Sequence, residues 1–146
     1  MLKKRVVLVL LCAFVCLFTV GCKDKVKTLK CTSKEDSGNM VVEIGQNQKT
    51  YELTNGSMSM EMDISAYGET AANLDWESMF CGENDPIYKE CSAKVNDNTL
   101  TVKMELNMDE YQKQLKEDGD IKDLDKDTLN ELKESAEKVG ATCKIS

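Results

Sequence analysis

The residues of this chain best able to do chemistry are its sulfurs and its carboxylates. Histidine is absent, which removes every mechanism built on an imidazole base, a His-ligated metal or a His-centred triad. Of the seven cysteines, Cys12, Cys16 and Cys22 fall in or beside an apolar leader. Cys31, Cys81, Cys91 and Cys143 are spread through the body of the chain. Those four form no C-x-x-C redox motif and no close-spaced pairs of the zinc-binding kind. Met58, Met60 and Met62 alternate along one strand face, where three thioethers could suit copper(I). Ile64 continues the row, so the residues read as core filler. Asp123, Asp125 and Asp127 fit positions 1, 3 and 5 of a twelve-residue calcium loop, with Glu134 at position 12, but Thr128 stands where that loop needs Gly. No G-x-S-x-G elbow or P-loop occurs, and no pair among the 26 acidic residues stands out for a two-carboxylate hydrolase. The residues thus nominate no catalytic group, no metal ligand and no cofactor.

The N-terminal segment has an address rather than a fold. Lys3, Lys4 and Arg5 precede an uncharged run from Val6 to Val20, and Gly21 and Cys22 follow. A positive start, a short apolar stretch and a small residue before a cut describe a secretory signal peptide. Phe18-Thr19-Val20-Gly21-Cys22 resembles the lipobox of bacterial lipoproteins, with Thr19 where that family usually carries Leu. The resemblance implies cleavage between Gly21 and Cys22 and a diacylglyceryl group on the Cys22 thiol. Two acyl chains anchor a protein stably where one does not. The expected organisation is a signal peptide over 1–21, a lipidated N-terminus and tether over 22–27, and one domain over 28–146.

Cleavage would remove three of the 19 basic residues and no acidic ones, taking the net charge from −7 to −10. So acidic a body argues against nucleic acid as a partner. Lys23, Lys25, Lys27, Lys30 and Lys34 cluster beside the lipidation position, either as a collar for an anionic leaflet or as a solvated tether. In an exported domain, four cysteines suggest two disulfides, with three possible pairings. We favour Cys81 with Cys91, which flank a turn-rich segment, and Cys31 with Cys143, which would staple the first strand to the last.

These sulfurs need elements to position them. Apolar alternation predicts strands over 28–33, 40–44 and 58–64. It predicts two more over 92–95 and 99–106, joined by a turn at Asn96-Asp97-Asn98, and a last one over 141–145. Asn55-Gly56 is the strongest hairpin signal, and the parity change between Ile44 and Tyr51 places a bulge or break at Gly45-Gln46-Asn47. Helical spacing predicts a helix over 70–81 carrying Ala71 and Leu74, with Trp76 packed on Phe80. A second begins with an Asn107–Glu110 cap and ends at Gly119. A third begins with a Thr128–Glu131 capping box, carries Leu129, Leu132, Ala136 and Val139, and ends at Gly140. The order β-β-β-α-β-β-α-α-β gives an α+β domain: a mainly antiparallel sheet with about three helices on one face, stapled by disulfides.

The body also resembles a group of small bacterial lipoproteins, mainly of Gram-positive bacteria, that have no assigned activity. Leu29-Lys30-Cys31, the mid-chain Cys pair and the Gly140 to Lys144 ending carry that likeness. The combined expectation is an extracytoplasmic protein held on the cell membrane through lipid on Cys22. Its role is a non-catalytic binding or scaffolding module for an envelope protein or a small ligand. A carboxylate-using envelope enzyme or accessory, or a metal-binding lipoprotein, is the alternative.

Overall fold

The structure is a computed structural model, and it describes residues 24–146. The leader, Gly21 and the lipidation candidate Cys22 lie outside the described residues. Six strands, β1 (Val26–Glu35), β2 (Gly38–Asn47), β3 (Leu53–Asp63), β4 (Tyr88–Asn96), β5 (Thr99–Leu106) and β6 (Thr142–Ile145), form one antiparallel sheet in the order β4-β5-β3-β2-β1-β6. Three helices, α1 (Trp76–Cys81), α2 (Met108–Glu117) and α3 (Thr128–Lys138), complete the α+β domain, with two short 3-10 turns over Ser65–Tyr67 and Glu69–Asn73.

The register makes the sheet two-sided. Directly opposed residues of an antiparallel pair share a face. Ile145, Leu29 and Ile44 therefore lie in one row, followed by Cys143, Cys31, Val42, Met58, Met104 and Cys91 in the next. All helices cover this face, in two places. Leu115 of α2 and Leu129 of α3 pack with Met108 and Ile121 over Leu29, Ile44, Leu53 and Leu106. Trp76 of α1, with Ile64 and Ala71, covers Leu100, Val102 and Met104. Each such buried side chain contributes about 1.5–3 kcal/mol of burial free energy. The opposite face carries Lys30, Glu43, Ser57, Ser59, Lys103 and Glu105, and the pairs Lys30–Glu43 (2.8 Å) and Lys89–Glu105 (3.0 Å) lie on or beside it.

Both later helices end as their glycines predict. In α2, Gly119 N donates to Lys116 O and Asp120 N to Leu115 O; in α3, Gly140 N donates to Glu137 O and Ala141 N to Ala136 O. These are Schellman bonds, and they need the positive φ of 77° at Gly119 and 95° at Gly140.

Several expectations give way. Asn55-Gly56 is not a turn but the third and fourth residues of β3. A β-carbon at Gly56 would come within 2.7 Å of Met108 Sδ, so the glycine makes room for the start of α2. The hairpin closes earlier, over 48–52, where Asn47 Oδ1 accepts from Lys49 N and Thr50 N and Tyr51 takes φ 62°. The parity change at Gly45-Gln46, by contrast, is met as expected by a bulge, which lies inside β2. The helix over 70–81 is split: Leu74 is extended and exposed, and Asp75 starts α1 by accepting from Ser78 N. An Asx cap competes with helix continuation at such a position. Neither Asn107 nor Thr128 caps through its side chain. Thr128 Oγ1, fully buried, instead accepts from Asp125 N at 2.9 Å. Val139 stays on the side of Leu132 and Ala136 but is 84% exposed, at the C-cap of α3. β1 begins at Val26, two residues inside the expected tether.

Candidate functional site

The sulfur chemistry resolves first. Cys31 is bonded to Cys143 and Cys81 to Cys91, the favoured pairing. The first bond joins directly opposed residues of β1 and β6, with Cα atoms 4.1 Å apart. The second ties the end of α1 to β4. All four body cysteines are thus clamps without a free thiolate, which is the reactive form.

The acidic run has a structural occupation. Asp125 Oδ1 accepts from Asp127 N, and the Asp125 amide is held by Thr128. Among the described residues, no three acidic or cysteine side chains converge to hold a metal ion. Asp123 and Glu134 join no such group. Two carboxyls, Asp63 and Asp75, are pulled below the ordinary range by hydrogen bonds from Ser65 and Ser78. That direction keeps them ionised and opposes general-acid work.

The two helical covers pack over separate clusters, bridged by Tyr88, and part of the sheet beside α3 is left open. There lies an apolar cavity of about 310 Å³ between β2 and α3, lined by Leu29, Met40, Val42, Tyr111, Leu132 and Ala136. A smaller hollow of about 150 Å³ shares Ser33, Glu35 and Met40 with it and extends it to Met60 and Met62 on β3. The two form one trough running across β2. Burial raises the pKa of the Tyr111 phenol above its ordinary 10.0, helped by the nearby charge of Asp120, so the wall it forms is neutral.

Comparison of the chain with family models, curated proteins and solved structures finds no match. Function must therefore be read from the site itself.

The trough gathers residues that lie far apart in the sequence. Leu132 and Ala136 were legible as a helix stripe and Val42 as a strand position, but their separation by an open gap was not. It depends on α1 and α3 covering opposite ends of the sheet. The methionine row, read as core filler, does pack against the Trp76 cluster, and its end borders that gap: Met60 and Met62 are only half-buried, and Met40 is 37% exposed. In the adjacent strand β5, Leu100 and Val102 are sealed at 0% and 1%. Alternation on β3 placed the three β3 methionines on one face, but only the register sets Met40 opposite Met60.

Proposed function

We propose that this chain is a membrane-anchored extracytoplasmic lipoprotein whose domain is a non-catalytic binding module, taking a small apolar ligand in the trough between β2 and α3. The observation that carries the binding role is the trough itself: an apolar recess with a few polar groups at its rim, more enclosed than the wider recesses elsewhere on the domain, such as the one of about 1000 Å³ lined by Val41, Glu43, Ser59 and Lys103. Its volume lies at the small end of ligand pockets, which suits a small molecule or a single hydrocarbon chain better than a helix. The lipobox-like segment ending at Cys22 supports the anchor. The two disulfides support an oxidising compartment, where such bonds persist.

Each half has its own test. Metabolic labelling with a palmitate analogue should mark the wild-type protein in membranes and leave the Cys22→Ser variant unlabelled; equal labelling removes the anchor. Binding is read by titrating the purified protein with a fluorescent fatty-acid analogue. Ala136→Trp, which fills the trough, should weaken binding at least tenfold while the melting temperature holds. An unchanged affinity places the ligand elsewhere.

A further inference from the structure

The open end of the trough differs chemically from the rest. Met40 of β2 and Met60 of β3 are directly opposed, and Met62 lies one pleat further along β3. Opposed residues hold their β-carbons about 4.5–5.5 Å apart. Met62 faces Gly38, which has no side chain and could not carry one: a β-carbon there would collide with the Glu61 carbonyl. The missing side chain leaves the hollow, and Met40, Met60, Met62, Ser33 and Glu35 line it. Three flexible thioethers thus border one solvent-reachable recess, whose lining also includes Glu35 and Glu61.

We propose that Met40, Met60 and Met62 form a copper(I) site at this end of the trough. Thioether sulfur is a soft ligand that selects copper(I) over hard oxygen-seeking cations. Each methionine has three rotatable bonds, so three sulfurs can converge over Gly38 without moving the sheet. Glu35, opposite Gly38 on β1, supplies negative charge next to the cation. Met60 and Met62 pack against the Trp76 cluster on one side, but they stay half-buried and Met40 is 37% exposed, so their outer sides reach the hollow. The alternative is an apolar rim with no affinity for metal, and the two differ in what they bind. This inference does not depend on the trough holding an apolar ligand.

The test uses the full chain, with free thiols blocked by N-ethylmaleimide so that only thioether sulfur is available. Anaerobic titration with copper(I) against bicinchoninate should withdraw one equivalent from the competitor. Met40→Leu, Met60→Leu and Met62→Leu, which conserve volume, should each weaken binding at least tenfold, and the triple variant should hold none. Met79→Leu, at an exposed position on α1 away from the hollow, should bind as the parent does. A second measurement needs no variant: in protein labelled with ¹³C-methyl methionine, copper(I) should move three ε-methyl signals and leave that of Met79 in place. Copper left entirely with the competitor overturns the proposal. So does copper held equally by the triple variant, or methyl shifts spread over all the methionines.

Discussion

The side-chain amide of Gln46 donates to the backbone carbonyl of Asp125 at 2.8 Å, across 79 positions of sequence. The same nitrogen donates to Tyr51 O at 2.9 Å. Gln46 is only 1% exposed, and it occupies the bulge of β2. One buried amide thus fastens the β2–β3 hairpin to the loop that delivers α3. A bulge re-aims a side chain, and here it turns a polar one inward where two carbonyls need a donor.

Gln46→Ala should therefore do more than remove volume. It leaves two part-buried acceptors unpaired and opens a small cavity, at a combined cost of about 1–3 kcal/mol. Urea unfolding measures the loss. Hydrogen exchange should show α3 loosening before the β4–β5 hairpin does. A loss below half a kcal/mol would mean that water or a neighbour takes over the amide's role.

The two disulfides should contribute unequally. Cys31–Cys143 closes a chain separation of 112 and Cys81–Cys91 one of 10. Loop entropy in the unfolded chain assigns them about 5 and about 3 kcal/mol respectively. Paired Cys→Ser variants, compared by chemical denaturation, should follow that order. Losing the shorter bond should also free α1, exposing Trp76 to a fluorescence quencher well before global unfolding. Equal midpoints for the two variants would show that packing, rather than loop closure, sets their value.

The pH dependence has a definite sign at each end. Tyr111 has a folded pKa raised above 10.0 by burial. Its contribution is complete below 10.0 and is lost as pH rises through the folded value. Lys89, raised above 10.5 by its bond to Glu105, fades in the same direction. Tyr111→Phe should thus flatten the alkaline fall without abolishing it. Asp63 and Asp75, lowered from 3.8, act oppositely: their contribution is present above 3.8 and is lost as pH falls through the folded values. Unfolding midpoints across the pH range check both limbs. A Tyr111→Phe protein with the parent's full alkaline slope would remove the phenol from the account.

Most of the fold was legible because each strand advertises one apolar face. Alternation at Leu100, Val102, Met104 and Leu106 needs no tertiary help to be read. The pairing of the cysteines followed from the same pattern, since Cys31 and Cys143 sit in the apolar rows of the first and last strands. What stayed hidden was set at a distance. Asn55-Gly56 has the composition of a turn, but Gly56 is small because Met108 presses on it from α2. Thr128 has the composition of a cap, yet its hydroxyl serves Asp125. Val139 continues the apolar period of α3 to its C-cap, where it borders the trough and stays 84% exposed instead of sealed. The trough was least visible of all, because a gap between covers has no residue of its own. The methionines carried a hint, in that flexible thioethers suit a place that is neither sealed nor wet.

The pairing of β1 with β6 brings the two ends of the described domain together: Thr28 N donates to Ser146 O at 2.8 Å, and Ser146 N returns the bond to Thr28 O. Cys31 and Cys143 lock the same two strands. A pull applied between the ends would travel through a few residues of β1, across one S–S bond and out along β6. The helices and the other four strands would carry none of that load. The described domain could be tugged from both of its ends and yield only a few residues of slack, its strand order undisturbed.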